Sequence, residues 1–145
     1  MSKTILLTGA TGTVGSHVLC ELAGRDGIRL RAGIRDLAKS EHVAPAEGVL
    51  FDFDKPETYA AACAGADAVF LVAPFSDKGV QQAKAFIDAA KAAGVKHIVK
   101  LSVIRSVSEI TVGRWHAEID GYLKSAGVPW TILLPSGFMQ NFKIG

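Results

Sequence analysis

The chain has 145 residues, 49% of them hydrophobic, and its 16 basic and 14 acidic residues leave a net charge of only +2. This length suits one domain with a single core, and the dispersed basic residues argue against a nucleic-acid-binding surface. No stretch resembles a signal-peptide core or the roughly 18 apolar residues of a membrane span, so we expect a cytoplasmic protein in which Cys20 and Cys63 are reduced packing residues.

Short apolar segments rich in Val, Ile, Leu and Phe recur along the chain and predict six strands. They lie at about 4–8, 28–34, 48–53, 68–73, 97–102 and 129–134. The stretches between them have helical spacing. The first predicted helix buries Val18, Leu19 and Leu22, whereas the segment at 37–42 is short and weakly patterned.

Two later helices have clearer apolar faces. One follows Ser76 and Asp77, which are good capping residues, and ends at Gly94. Its buried face consists of Val80, Ala83, Phe86, Ile87 and Ala90. The other lies near 113–126 and aligns Trp115, Ile119, Tyr122 and Leu123.

The alternation of strands and helices predicts an α/β fold with a parallel sheet that is covered on both faces. Six strands suggest a doubly wound, Rossmann-like sheet of order 3-2-1-4-5-6, formed by a single domain over residues 1–145. In such a sheet a ligand binds at the carboxyl ends of the strands, near strands 1 and 4.

Three glycines stand between the first strand and the first helix, in the segment Thr8–Gly15. Gly9, Gly12 and Gly15 suit, in that order, a sharp turn, a close approach of phosphate oxygens and tight packing of a helix on the sheet. The N–H groups at the start of the helix would hold a dinucleotide pyrophosphate. The predicted loop also includes Thr11, Thr13 and Val14. The spacing is GxxGxxG rather than GxGxxG, and no Gly-Lys-Ser/Thr follows, which excludes a Walker-type loop.

The end of the second strand predicts which dinucleotide binds. Arg35 comes first and can contact a ribose 2′-phosphate with two hydrogen bonds, and Lys39 can add a second positive charge. We therefore expect NADP(H). Asp36 keeps NAD open as an alternative, because a shift of one residue would present a carboxylate that repels the phosphate.

Further candidate contacts follow the other strands. Asp52 and Phe53 could bracket an adenine, although Phe53 could equally be the last buried residue of its strand. Val72, Ala73, Pro74 and Ser102 lie where the ribose and nicotinamide should pass, and the loop of Pro135, Ser136 and Gly137 can present backbone groups to the nicotinamide amide. We expect no metal site, because His17 and Cys20 form an isolated pair.

Four segments together resemble one protein family across essentially the whole chain. They are TGATGTVG, GIRDLAK, AAKAAGVKHIVKLS and HAEIDGYLKSAGVPWTILLPSGFMQNF. In this order and spacing they resemble the atypical short-chain dehydrogenase/reductases of the NmrA-like and isoflavone-reductase-like type. The resemblance implies an NADP-preferring Rossmann protein, either a reductase of quinones or conjugated molecules or a redox-sensing regulator that binds the dinucleotide without turnover.

The resemblance also bears on the chemistry. The Tyr-x-x-x-Lys pair of short-chain dehydrogenases is missing, since neither Tyr59 nor Tyr122 is followed by lysine four residues on. In one reductase branch of the family, a lysine occupies the helix position held here by His116. His116 is therefore the candidate general acid or base, with Asp120 one turn on to orient or charge it; an exposed His-Asp pair without catalytic role is the alternative.

Members of this family run further, into a smaller carboxyl-terminal region that closes over the substrate. We therefore expect a dinucleotide-binding fragment or a short relative, whose apolar surface after strand six could be shared in a homo-oligomer. The small-molecule substrate is unknown. No partner of another kind, nucleic acid or membrane, is expected.

Overall fold

The computed structural model describes residues 2–74, 76–103 and 111–135, and a six-stranded parallel sheet forms its centre. The strands are β1 (Lys3–Leu7), β2 (Ile28–Ile34), β3 (Glu47–Leu50), β4 (Ala68–Leu71), β5 (His97–Leu101) and β6 (Trp130–Leu133). Their order is β3-β2-β1-β4-β5-β6. This confirms the predicted doubly wound sheet.

The direction of winding reverses next to β1. In the register of the sheet, Leu7 of β1 pairs with Ala32 of β2 on one side and with Phe70 of β4 on the other. The loops that leave the carboxyl ends of β1 and β4 run to opposite faces of such a sheet and open a crevice between them. The fold therefore creates a binding position at the predicted place.

Within the described residues, four α-helices cover the sheet: α1 (Thr13–Leu22), α2 (Tyr59–Cys63), α3 (Gly79–Ala92) and α4 (Thr111–Ser125). Two 3₁₀ turns, Leu37–Val43 and Pro56–Thr58, complete the connections. All five apolar residues predicted to form the buried face of α3 are buried. On α4, Ile119 and Leu123 are buried, while Trp115 and Tyr122 are half-buried.

The predicted capping of α3 is wrong. The helix begins at Gly79, two residues after Asp77, and no side chain caps it. A Cβ added to Gly79 would lie 2.3 Å from the carbonyl oxygen of Pro74, and the Gly79 N–H donates to the carbonyl of Ser76. Close backbone packing fixes where this helix starts, because only glycine fits against the incoming chain.

Helices lie on both faces, as predicted, and each face has its own core. Leu6, Val69 and Leu71 pack with α2, α3 and α4, whereas the alternate residues Leu7 and Phe70 pack on the α1 face. This alternation follows from the two-residue period of a strand.

The two cysteines differ. Cys63 is buried, as predicted, but Cys20 is exposed on α1 and is not a packing residue. Across the described ranges, no helix is long and apolar enough to cross a membrane.

Candidate functional site

The glycine loop leads from β1 into a helix whose first turn is open. Gly9 has φ +66°, a conformation that favours glycine, and its carbonyl accepts a 3.0 Å hydrogen bond from the Gly12 N–H. The helix α1 then begins at Thr13, with no side-chain cap and no acidic residue in its first turn. Its first N–H groups and the positive end of its dipole are therefore available to an anion.

Gly15 holds this helix directly against the loop. A Cβ at Gly15 would lie 1.9 Å from the carbonyl oxygen of Gly9, a distance at which no side chain fits. At Gly12 the same oxygen would lie 3.3 Å away, which is tight but less severe. Gly15 therefore requires glycine because there is no room for a Cβ, and Gly9 requires it because of its positive φ.

Thr8 joins the ends of β1 and β4 beneath the loop. Its side chain is fully buried, and its hydroxyl donates to the Phe70 carbonyl at 3.1 Å and accepts from the Val72 N–H at 2.8 Å. The Thr8 N–H also donates to the Phe70 carbonyl at 3.0 Å. Thr8 thus links β1 to the end of β4 on the two sides of the crevice.

A cleft of about 890 Å³ extends from this loop across the carboxyl ends of β1 to β4. Eight of the residues predicted to bind the cofactor line it together: Gly9, Thr11, Arg35, Lys39, Asp52, Phe53, Val72 and Pro74. The lining also contains residues that the sequence prediction did not assign to the site: Gly33, Ile34, Asp36, His42, Phe51, Asp54, Ser76 and Gln82. The volume falls within the range of small-molecule and cofactor sites.

One end of the cleft is basic. Arg35, Lys39 and His42 line it, and within the described ranges neither Arg35 nor Lys39 forms an ion pair. Asp36 also lines the cleft, but its carboxylate accepts the Ala38 N–H at 3.0 Å and caps the 3₁₀ turn that follows β2. The cationic side chains are thus open to a ligand, while the carboxylate has a partner in the protein.

Another wall of the cleft follows β3, which ends at Leu50, three residues before the predicted boundary. Asp52 accepts the Asp54 N–H at 2.9 Å, and Gln82 of α3 donates to the Asp54 carboxylate at 2.7 Å. These contacts fix a polar rim. The sequence did not indicate Gln82, because its role depends on how α3 packs against the loop.

Phe53 lies both at this wall and in an aromatic cluster with Phe51, Tyr59 and Phe86, where Phe51 and Phe53 meet edge to face at 4.8 Å. It is half-buried, so it packs on the core and lines the cleft at once. The Tyr59 hydroxyl donates to the Phe53 carbonyl. Burial, with the neighbouring carboxylates of Asp54, Asp52 and Glu57, raises the pKa of Tyr59 to about 12.

The other predicted residues do not line the cleft. Gly12, Thr13, Val14 and Gly15 form the loop and helix start beside it, and Ala73 lies between two lining residues. Pro135 follows β6, and Ser136 and Gly137 lie outside the described residues. Ser102, His116 and Asp120 form a separate group.

This group, with Lys100, makes a polar cluster between the end of β5 and α4, which we name the Lys100 cluster. Lys100 is fully buried, and its Nζ lies 2.8 Å from Asp120 Oδ1 and 3.0 Å from His116 Nδ1. Ser102 donates to Asp120 Oδ2 at 2.6 Å. The predicted His-Asp pair is therefore joined through a lysine, and Asp120 is only 7% exposed.

The sequence prediction missed Lys100, although a signal for it existed. In His97–Leu101 the strand period buries Ile98, and the same period places Lys100 on the buried side. A lysine at such a position needs an acidic partner. Asp120, among the buried positions of α4, meets that need.

The cluster shifts the acid-base behaviour of its members. Burial lowers the pKa of Lys100, and the hydrogen bond and charge of Asp120 oppose this. Burial and then the Lys100 ammonium lower the pKa of His116, with Asp120 again opposing. The imidazole is therefore held in its neutral form at pH values where an exposed histidine would begin to gain a proton.

Comparison with known proteins places this geometry in context. Residues 9–144 match the model of a family described as NAD(P)H-binding. The chain is 39% identical over 142 residues to an NAD(P)H azoreductase of Xenophilus azovorans. The aligned region covers 94% of this chain and 49% of the azoreductase. The chain spans about half the length of the curated relatives it matches.

Solved structures show the same fold. The triphenylmethane reductase of Citrobacter sp., complexed with NADP(H), superposes with a TM-score of 0.83 at 26% identity, over 96% of this chain and 51% of that one. An NADPH-dependent quinone oxidoreductase from Escherichia coli, complexed with NADPH, gives a TM-score of 0.80 at 26% identity, over 95% and 50%. Both reductase structures share the fold described above.

Proposed function

Since this chain belongs to the NAD(P)H-binding family, we propose that it is the dinucleotide-binding domain of an NADPH-dependent reductase of quinone-like or conjugated small molecules. The cleft carries the proposal: it extends from the loop beside an uncapped helix N-terminus to cationic side chains that form no ion pair within the described part of the chain. The names of the azoreductase, the triphenylmethane reductase and the quinone oxidoreductase support the reaction class.

In this proposal the pyrophosphate lies on the glycine loop. Gly9 and Thr11 line the cleft at the start of the loop, and the open N–H groups of Thr13, Val14 and Gly15 follow at the head of α1. The absence of side chains at the loop glycines lets phosphate oxygens approach the backbone.

The preference for NADP(H) rests on the basic end of the cleft. Arg35 and Lys39 would contact the 2′-phosphate, Arg35 with two hydrogen bonds and Lys39 as a point charge. The contact from Asp36 to the Ala38 N–H engages the carboxylate that would otherwise favour NAD. The NADP(H) and NADPH complexes of two structural relatives agree with this choice.

Asp52 and Phe53 would flank the adenine, because both line the cleft after β3, two strands away from the glycine loop. The nicotinamide would run past Val72, Ala73 and Pro74 towards the end of β5, where the Lys100 cluster lies. The bound cofactor supplies the hydride, and the protein positions it.

Pro135, Ser136 and Gly137 stay predictions as contacts of the nicotinamide amide. So do the single domain over 1–145, a homo-oligomeric state and a cytoplasmic location.

A second function is a redox sensor that binds the dinucleotide without turnover. The hydrogen bonds and positions of Tyr59 and Tyr122 favour it. The Tyr59 hydroxyl donates to the Phe53 carbonyl, and the Tyr122 hydroxyl donates to Asp88 at 2.6 Å. Neither tyrosine lines the cleft. A tyrosine proton donor of the short-chain dehydrogenase kind therefore has no counterpart in the described part of this chain.

Calorimetric titration with NADPH and NADH tests the binding part of the proposal. We expect tighter binding of NADPH, and we expect Arg35→Ala to weaken it by about 10- to 100-fold while changing NADH binding less than about twofold. Arg29→Ala is the matched control, because Arg29 is an exposed arginine of β2, the strand that Arg35 follows, and lies outside the cleft. Equal affinities for the two dinucleotides would reject the NADP assignment.

Turnover separates the two functions. NADPH oxidation is measured with quinones, azo dyes, triphenylmethane dyes and aldehydes, for this chain and for any longer natural form that contains it. Turnover of any of these acceptors supports the reductase. Tight NADPH binding with no turnover in either form supports the sensor.

A further inference from the structure

The Lys100 cluster contains a buried lysine with one ion-pair partner and two hydrogen-bond partners. An ammonium group has three N–H donors and no acceptor. Around Lys100 Nζ the structure places three acceptors: Asp120 Oδ1 at 2.8 Å, His116 Nδ1 at 3.0 Å and the Leu101 carbonyl at 3.3 Å. The ion pair with Asp120 favours the protonated form of Lys100, and an ammonium group can only donate, here to His116 Nδ1 and to the Leu101 carbonyl.

The charge of the lysine decides the state of the histidine. Because Lys100 donates to His116 Nδ1, that nitrogen must offer a lone pair and carry no proton. The proton of the neutral imidazole then lies on Nε2. Among the described residues Nε2 has no hydrogen-bond partner, and the His116 side chain is only half-buried, so Nε2–H is free to donate to a ligand.

The surroundings oppose a second proton on this ring. Protonation at Nδ1 would set an N–H against the ammonium of Lys100, which is fully buried and 3.0 Å away. Asp120, the nearest anion, is already bound to Lys100 through Oδ1 and to Ser102 through Oδ2. Burial and the Lys100 charge also lower the pKa of His116.

Charged groups on the packed elements do not change this balance. On α3, Lys84 pairs with Glu118 at 2.7 Å and Asp88 accepts from Tyr122 at 2.6 Å, so both are engaged elsewhere on α4. The strand β6 contributes only Trp, Thr, Ile and Leu. Lys100 and Asp120 are thus the charges in the described chain that act on His116.

We propose that Lys100 is a positioning residue that locks His116 as a neutral imidazole with its proton on Nε2. In this state His116 donates a hydrogen bond from Nε2 to the oxygen or nitrogen of a substrate that gains negative charge as it accepts the hydride. It acts as an electrophile that keeps its proton, and not as a general acid or base, so the reduced anion takes its proton from water. The catalytic meaning rests on the proposed reductase function, whereas the tautomer is a property of the folded chain alone.

Long-range ¹H–¹⁵N spectra of ¹⁵N-histidine-labelled protein test the lock directly. The chain has four histidines, and His116→Gln identifies the signals of His116 by their loss. We expect the Nε2–H tautomer at pH 7, and we expect it to persist at pH values below the ordinary histidine pKa, where the exposed histidines gain a second proton. A wild-type spectrum with the proton on Nδ1, or with both nitrogens protonated at pH 7, overturns the proposal.

Variants identify Lys100 as the cause. In Lys100→Met the ammonium is lost and Asp120 becomes the nearest charge, so the pKa of His116 should rise by at least one unit. Lys100→Arg keeps the charge and should keep the tautomer, which covers the case in which the methionine variant fails to fold. Lys96→Met removes an exposed lysine next to the same strand and should leave the His116 signals unchanged. Loss of the tautomer in the Lys96 control, or its retention in a folded Lys100→Met variant, contradicts the proposal.

Kinetics then separate this inference from the proposed function. If no acceptor is reduced by the wild type, the reductase proposal fails, and the spectra still decide the tautomer. If an acceptor is reduced, Lys100→Met should lower kcat at least tenfold while the Kd for NADPH stays within about twofold. An unchanged kcat in a folded variant removes the positioning role even where the tautomer is confirmed.

Discussion

At the scale of single residues, Gly15 and Gly121 are glycines in helices with opposite surroundings. Gly15 of α1 faces the Gly9 carbonyl oxygen, which an added Cβ would approach to 1.9 Å. A Cβ at Gly121 of α4 would meet nothing within 4 Å. The same substitution should therefore have opposite effects at the two positions.

We expect Gly15→Ala to destabilise the protein by about 1–3 kcal/mol, because α1 must move away from the loop. The movement also displaces the N–H groups at its first turn, so NADPH binding should weaken at least tenfold. Gly121→Ala should stabilise by about 0.5–1 kcal/mol, since it lowers the entropy of the unfolded chain without strain. Urea unfolding of both variants measures the change in stability, and NADPH titration measures the change in affinity. Similar changes in the two variants would contradict the packing described for Gly15.

The residues that sequence reasoning could reach are those whose role is set by their neighbours along the chain. Gly9 and Gly15 stand at a strand-to-helix junction, and Arg35 directly follows a strand, so local order was enough to place Gly9 and Arg35 at the cleft and Gly15 beside it. Lys100 and Gln82 act through partners distant in sequence. The surroundings of Gln82 exist only after the helices have packed. The strand period indicates that Lys100 is buried, but it does not indicate the partner on α4.

At the scale of elements, the junction of β1 and β4 depends on one hydroxyl. Thr8 is buried, and its hydroxyl serves the Phe70 carbonyl and the Val72 N–H at the point where the crevice opens. A substitution that keeps the shape but removes the hydroxyl leaves both groups without this partner. Such a loss costs more than the methyl group that distinguishes threonine from serine.

We therefore expect Thr8→Val to destabilise by about 1–3 kcal/mol and Thr8→Ser by about 1 kcal/mol or less. Packing alone predicts the reverse order, because valine retains the volume of threonine and serine does not. Chemical denaturation of the two variants gives the free energies of unfolding. A valine variant more stable than the serine variant would show that the hydroxyl contributes little.

Elements were predictable where one pattern is long or strongly apolar. Six strands and the buried face of α3 follow from such patterns. The short helix Tyr59–Cys63 was missed because five residues carry too little periodicity. The start of α3 was misplaced because the close approach of Gly79 to the Pro74 carbonyl is a tertiary contact that capping preferences do not contain.

At the scale of the whole molecule, a buried thiol links global stability to alkaline pH. Cys63 is fully buried, and burial raises its pKa from 9.0 to about 11, with Arg31 opposing in part. Between these values the folded protein keeps a proton that the unfolded chain has lost. The stability from this group is therefore complete below pH 9 and is lost as the pH rises through 11.

The expected loss is roughly 2–3 kcal/mol between pH 8 and pH 12. Urea unfolding of the wild type and of Cys63→Ala at several pH values isolates it, because the alanine variant lacks the titrating group. The variant will carry a constant packing penalty, and the readout is the difference in pH slope. Cys20→Ala, which removes an exposed thiol, should keep the wild-type slope. Parallel slopes for the wild type and Cys63→Ala would refute the linkage.

The two halves of the sheet place the residues for cofactor preference and the residues for chemical reactivity in different parts of the molecule. The basic end of the cleft comes from residues just after β2, while the Lys100 cluster comes from β5 and α4, and no member of that cluster lines the cleft. Sites without shared contacts contribute almost additively. Cofactor preference and chemical reactivity should therefore be tunable one at a time, with the gains of each set of substitutions preserved when they are combined.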